Sequence, residues 1–305
     1  MSTVLITGGT GLVGSRLTRM LLEKGYHVII LSRSIRESDH PNLSFAKWNV
    51  QSGEIDTAAI TKADHIIHLA GAGVADKRWT SERKKEIVES RTKSADIIVN
   101  ALNTIPNNVQ TVVSASAIGW YGPDTKESKQ KGFTEEAPAN SHFLGETCRL
   151  WESSIEPVTT LGKRLVKFRI GIVLAENGGA LKEFSKPLKF GMATIMGSGE
   201  QVVSWVHVED LCRMFINAIE NKNVSGIYNA VAPQPVTNKE LVLSLANKLR
   251  GKAFLPIHVP RIALKLALGE MSIEVLKSAT VSSEKISNTG FTFLYPTLRA
   301  ALHLK

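Results

Sequence analysis

Short apolar runs and amphipathic stretches alternate along the first half of the chain. Val4 to Ile6 is apolar and strand-prone, and an amphipathic helix follows over Leu12 to Lys24, with Gly25 as its C-terminal cap. His27 to Leu31 is the next strand and Leu43 to Trp48 the third; a short helix follows around Thr57 to Thr61. Ala63 to Leu69 is the fourth strand. Ser81 to Asn103 is a long helix, with Ile87, Arg91, Ala95, Ile98 and Leu102 marking its period. Val109 to Ser114, a helix over Ser141 to Ser154, and a strand over Arg164 to Ile170 continue the series. Strands this apolar, joined through helices, predict an α/β fold with a doubly wound parallel sheet.

The pattern loosens after Val173. Asn177-Gly178-Gly179 and Gly197-Ser198-Gly199 are loop signals. Ser204 to Val208 reads as a short strand, Glu209 to Glu220 as a helix, and Ile227 to Val231 as a strand returning to the sheet. From Val236 the chain reads as mostly helical, broken at Pro256 and Pro260. The expected organisation is a dinucleotide-binding core over 1–175, rejoined by 203–232, with a smaller lobe from 176–202 and 233–305 over the carboxyl ends of the strands.

The first strand leads into Thr7-Gly8-Gly9-Thr10-Gly11-Leu12-Val13-Gly14. The glycines at 8, 11 and 14 have the spacing of a pyrophosphate-binding turn between a strand and a helix. Gly8 suits the tight turn, Gly11 keeps a side chain out of the pyrophosphate's path, and Gly14 allows close packing of helix on sheet. The helix N-terminus then offers free N–H groups to an anion. The second strand ends in Ser32-Arg33, and Arg36 lies nearby; no acid stands at 32–34. An acid there would bond the ribose of NAD, whereas an arginine favours the 2′-phosphate, so the expected cofactor is NADP(H).

Composition narrows the function. A 305-residue chain with 43% hydrophobic residues can bury a large core. The net charge of +9 suits an anionic small-molecule ligand, but the basic residues are scattered. The densest group, Lys77-Arg78 and Arg83-Lys84-Lys85, reads as mostly solvated, bordering a phosphate-bearing ligand. No helix-turn-helix or aromatic RNA-binding pattern appears, so no nucleic acid is expected. Cys148 and Cys212 are the only cysteines, which excludes a disulfide framework and a cysteine zinc site. The eight histidines lack metal-ligand spacing. No signal peptide and no membrane span is expected, hence a soluble cytoplasmic protein.

By these motifs the chain resembles an extended short-chain dehydrogenase/reductase, the class of nucleotide-sugar epimerases and dehydratases. TGGTGLVG, HLAG at His68 to Gly71, SASAIGWYG at Ser114 to Gly122 and WVHVEDL at Trp205 to Leu211 fall in the order of that class. It is more closely similar to an atypical epimerase-like family, often labelled as cell-division inhibitors. LSRS at 31–34, KRW at 77–79, Ser90-Arg91, and the tail from Gly226 through GFTF at 290–293 carry that likeness. The resemblance implies cofactor contacts at Gly8, Thr10, Gly11, Leu12, Val13, Gly14, Ser32, Arg33, Leu69, Ala70, Gly71, Glu86, Arg91 and Val173. Arg91 stands where an Asn is usual. Its guanidinium would bond ribose or phosphate oxygens, or pair with Glu86.

The typical enzymes use Ser, Tyr and Lys, with Tyr and Lys spaced Y-x-x-x-K. Here Leu144 and Cys148 occupy those two positions, while Ser116 matches the Ser. Leu144 cannot transfer a proton, and losing a general acid or base costs about 10²–10⁴-fold in rate. The candidate replacements are Ser116, Tyr121 and Cys148, each of which also has a plain packing role. His207 is a further titratable group beside Trp205 and Asp210. Two functions follow: an NADP(H)-dependent oxidoreductase or epimerase on a carbonyl or sugar-nucleotide substrate, or a non-catalytic NADP(H)-binding sensor or interaction protein.

Overall fold

The structure, a computed structural model, describes residues 2–176 and 178–304. The loop signal at Asn177 lies outside the described residues. The chain runs through β1 (Thr3–Thr7), α1 (Leu12–Glu23), β2 (His27–Ser32), β3 (Leu43–Asn49), β4 (Glu54–Ile55), α2 (Thr57–Lys62) and β5 (His65–His68). Next come α3 (Ser81–Thr104), β6 (Thr111–Ala117), α4 (Ser128–Lys131), α5 (Phe143–Ile155), β7 (Arg164–Ile170) and β8 (Ile172–Ala175). The second half holds α6 (Gly179–Leu188), β9 (Met192–Met196), β10 (Val202–Val203), β11 (Trp205–His207), α7 (Val208–Glu220) and β12 (Gly226–Ala230). It closes with β13 (Val236–Thr237), α8 (Asn238–Arg250), β14 (Leu255–Val259), α9 (Arg261–Leu268), α10 (Ser272–Leu276), α11 (Glu284–Ser287) and α12 (Leu298–Ala301).

Eight strands form one sheet in the order β12-β7-β6-β5-β1-β2-β3-β4. Every pair is parallel except β3–β4. The apolar runs are continuous because both faces are covered. In β1, Val4 and Ile6 pack against Leu17 and Leu21 of α1 and Leu211 and Phe215 of α7. Leu5, between them, faces Ile60 of α2 and Ile98 and Leu102 of α3. The chain goes from β1 outward through β2 and β3, then crosses to β5 on the other side. The crevice at that reversal, outside the carboxyl ends of β1 and β5, is where an open α/β sheet takes a ligand.

A third apolar cluster gathers Leu181 and Leu188 of α6, Ile195 of β9, Leu241 and Leu245 of α8, and Leu298 and Leu302. The tail is less helical than the sequence predicts. Leu255–Val259 is extended and pairs in parallel with β9, Leu255 opposite Met192 and Val259 opposite Met196. Leu255, Ile257 and Val259 alternate as a strand does, and Pro256 is tolerated because β14 is an edge strand. No described helix is long and apolar enough to cross a membrane.

Candidate cofactor cleft

The glycine turn is built by three different constraints. Gly8 has φ +71°, and a β-carbon there would stand 2.9 Å from the Leu69 carbonyl carbon and oxygen. Gly11 donates its N–H to the Gly8 carbonyl at 3.0 Å and caps α1 in ordinary extended backbone, φ −78° and ψ 179°. Its β-carbon would touch only the Gly8 oxygen, at 3.3 Å, and otherwise project into open space. A cradle that a single β-carbon would begin to fill fits a pyrophosphate. At Gly14 a β-carbon would lie 2.2 Å from the Gly8 oxygen. This corrects the expectation that Gly14 serves helix-on-sheet packing: it makes room for the turn itself. The approach of turn to sheet falls to Gly9, whose β-carbon would meet Ile30 of β2 at 2.9 Å.

Leu31, Thr7, His68 and Ser114 stand in register across β2, β1, β5 and β6. Thr7 Oγ1 accepts from the Leu69 and Ala70 N–H groups, each at 3.1 Å, and lies 2.7 Å from His68 Nδ1. An oxygen that accepts twice donates its one proton to Nδ1, which leaves Nε2–H to face Ser94 Oγ at 3.3 Å. Burial, with the Arg91 charge adding to it, pushes the His68 pKa down to about 3. His68 is therefore a neutral tie between strand ends, and it fixes the Leu69-Ala70 backbone beside the turn.

At the β2 end Ser32 is half-buried, and Arg33 and Arg36 are exposed. Arg33 makes no ion pair among the described residues, so its guanidinium is available to a ligand. Across the turn, Leu12 packs on Gly178 and Gly179, where β-carbons would meet its side chain at 2.6 and 3.0 Å. The Val173 carbonyl would lie 3.2 Å from a β-carbon at Gly179, so Val173 joins the same wall. Thr10 and Val13 belong to the turn and the first residues of α1.

Arg91 is 9% exposed and lies under Gly71, where a β-carbon would stand 3.1 Å from its Cζ. It does not pair with Glu86. That exposed carboxylate pairs with Arg83 at 2.6 Å, three residues away on the same helix. Arg83 is itself buried and donates to the Gly73 carbonyl, the exception in a basic cluster whose Lys77, Arg78 and Lys85 are exposed. The signal that could have been read was the i, i+3 spacing of Arg83 and Glu86.

The three candidate proton donors are all engaged. Ser116 Oγ donates to Glu152 Oε1 at 2.7 Å. Glu152 accepts from Arg169 Nε and Nη2 at 2.8 and 3.1 Å. Tyr121 is 1% exposed; its hydroxyl donates to Asn229 Oδ1 at 2.6 Å and accepts from Arg169 Nη1 at 3.1 Å. Burial raises its pKa to about 12 against the opposing pull of Arg169. Its ring stacks on Phe133 at 5.0 Å. Tyr121 thus faces the β7–β12 side of the sheet, with its hydroxyl occupied, and does not reach toward Leu144. Cys148 is buried, its thiol 3.5 Å from the Ala117 carbonyl, and burial raises its pKa to about 12, with Glu152 adding to the rise. It packs as a small neutral side chain. Ser116, Arg169 and Asn229 share one register row across β6, β7 and β12. The sequence reading missed Glu152, Arg169 and Asn229; a charged residue inside the apolar run of β7 was the only available signal.

Residues 4–144 match the model of the NAD dependent epimerase/dehydratase family, and 259–303 match a domain of unknown function, DUF1731. The epimerase family protein YfhF of Bacillus subtilis is 36% identical over 300 residues, 98% of this chain and 96% of that one. The chain belongs to this epimerase family. Human epimerase family protein SDR39U1, solved with NADPH, superposes with a TM-score of 0.84 at 26% identity, over 98% of this chain and 97% of that one. A nucleoside-diphosphate sugar epimerase from Corynebacterium glutamicum superposes at 0.77 with 30% identity, and there this chain spans 57% of the other.

Within this epimerase-family fold, the WVHVEDL segment anchors the C-terminal tail. His207 caps α7, accepting the Glu209 N–H at 3.3 Å, and its ring lies 3.9 Å from that of Tyr295. Burial lowers its pKa. Asp210, fully buried, accepts the Leu294 and Tyr295 N–H groups at 2.9 and 2.8 Å. Trp205 Nε1 donates to the Gln234 carbonyl at 2.9 Å. His207 and Asp210 thus hold the tail, and Trp205 ties β11 to the loop after β12.

Proposed function

We propose that this epimerase-family protein binds NADP(H) across the crevice between β1 and β5 and acts there on a carbonyl or sugar-nucleotide substrate. The observation that carries the reading is the combination of the Gly8–Gly14 cradle with an exposed Arg33 at the end of β2 that makes no ion pair among the described residues. Gly8, Thr10, Gly11, Leu12, Val13 and Gly14 would hold the pyrophosphate; Ser32 and Arg33 the 2′-phosphate; Leu69, Ala70, Gly71, Arg91 and Val173 the remainder. Hydride exchange is the chemistry the cofactor supplies when bound. The NADPH in the human relative's structure supports the choice of cofactor.

A second reading, a non-catalytic NADP(H) sensor or interaction protein, is favoured by one observation. Ser116, Tyr121 and Cys148 are each buried and hydrogen-bonded within the protein, so none is free to exchange a proton with a substrate. Two measurements test these readings. NADPH should bind at least about tenfold more tightly than NADH, a difference of about 1.4 kcal/mol, and Arg33→Ala should remove most of that gap. Equal affinities would reject NADP(H) selectivity. NADPH oxidation across a library of carbonyl and nucleotide-sugar compounds separates the two readings: turnover supports the enzyme, tight binding without turnover the sensor.

A further inference from the structure

The cleft holds a cation with no counterion among the described residues. Arg91 comes off α3, and its guanidinium makes one hydrogen bond, from Nη1 to the Ile87 carbonyl at 2.8 Å. It has no carboxylate partner among the described residues, Glu86 being taken by Arg83. The Trp151 ring lies 4.9 Å from it. Cys148 is close enough to interact with it, but as a thiol whose pKa stands near 12 it contributes no negative charge at neutral pH. A guanidinium carries five N–H donors, and a buried charge is stable only when paired or fully hydrogen-bonded. Arg91 Nε and Nη2 have no acceptor among the described residues and are not sealed from the cleft, so they are open to what binds there.

The topology says which part of a dinucleotide that would be. Arg33 is on β2, on one side of the glycine turn. Gly71, Arg91 and Cys148 are on the other side, at β5 and the helices beside it. With the 2′-phosphate at Arg33 and the pyrophosphate at Gly11, the nicotinamide half runs over Gly71 toward α5. Position 148 is where the enzymes this chain resembles carry a lysine, and position 91 is where they carry an asparagine. Here the pair is Cys148 and Arg91, one neutral and one cationic side chain at the same corner, with the charge moved from α5 to α3.

We propose that Arg91 is completed by the cofactor: its free N–H groups bond oxygens of the nicotinamide half of NADP(H), replacing the cation absent from position 148. This rests on the cofactor reading above. The test uses two ligands, NADPH and adenosine 2′,5′-bisphosphate, which lacks the nicotinamide half. Arg91→Met should weaken NADPH by about tenfold or more, the loss of a charge-assisted contact, and leave the bisphosphate within about twofold. Should Arg91→Met fail to fold by circular dichroism, Arg91→Asn replaces it with the same two ligands. Adding Cys148→Lys to Arg91→Asn should then restore NADPH affinity to within about threefold of the wild type, about 0.7 kcal/mol. Equal losses for both ligands, no loss for NADPH, or no recovery in the double variant would overturn the proposal. Failure of the unmodified protein to bind NADPH would instead overturn the cofactor reading, and needs no variant to detect.

Discussion

Gly11 and Gly14, three residues apart, answer to different constraints, and their substitutions should separate. Gly11 sits in backbone any residue adopts, with open space where its side chain would go. Gly11→Val should therefore fold with an unchanged circular dichroism spectrum and lose NADPH binding. Gly14→Val would drive its β-carbon against the Gly8 oxygen, so it should lose about 1–3 kcal/mol or more of stability in urea before any ligand is added. Tyr121 makes the opposite case. As a proton donor its loss would be felt in rate. In the fold its hydroxyl bonds Asn229 and Arg169, so Tyr121→Phe should cost about 1 kcal/mol for each bond and leave NADPH affinity unchanged. A Tyr121→Phe protein with full stability but weakened cofactor binding would contradict that placement.

Between elements, two buried polar ties join strands of the sheet to their neighbours. The first is His68, joining β5 to Thr7 of β1 and Ser94 of α3. Its folded pKa, near 3, lies below the unfolded value of about 6.5, so the unfolded chain takes up the proton first as pH falls. Its contribution is fully present above about pH 6.5 and declines by up to about 1.4 kcal/mol per pH unit toward pH 3. Urea midpoints of His68→Gln should fall less steeply between pH 6 and pH 4 than those of the wild type; parallel curves would remove His68 as the cause. The second tie is the Glu152–Arg169 pair, joining α5 to β7. Removing one partner strands a buried charge, so Glu152→Ala should cost about 3–5 kcal/mol, read from the urea unfolding curve. These ties were not legible in the sequence. Ser116, Arg169 and Asn229 become neighbours only through the register of β6, β7 and β12, which separate stretches of chain do not reveal.

At the scale of the whole molecule, the C-terminal tail is held by a side chain that sequence motifs associate with the cleft. Asp210 accepts two tail N–H groups, and His207 lies against Tyr295. Asp210→Ala leaves those donors without their partner, at about 1–3 kcal/mol each, and should open the tail around 290–295 to limited proteolysis while the sheet core survives. A protease-resistant tail in that variant would mean that the packing of Leu298 and Leu302 suffices without Asp210.

The residues alone determined the α/β class, the main strands and helices through β7, though not the two-residue β4 or the single-turn α4, and the glycine turn between β1 and α1. Those follow from local features: apolar runs long enough for buried strands, helical periodicity, and glycines spaced for a tight strand-to-helix turn. Only the tertiary structure decided what each polar residue faces. It turned Tyr121 into the Arg169–Asn229 network, and left Arg91 beside Cys148 with no carboxylate partner among the described residues. It also made a strand of Leu255–Val259, because β9 lies beside it to accept the pairing. The physical reason is the same throughout. Backbone preference and hydrophobic burial are written into neighbouring residues, whereas the partner of a buried charge is chosen among groups that meet only when the sheet and its helices have closed.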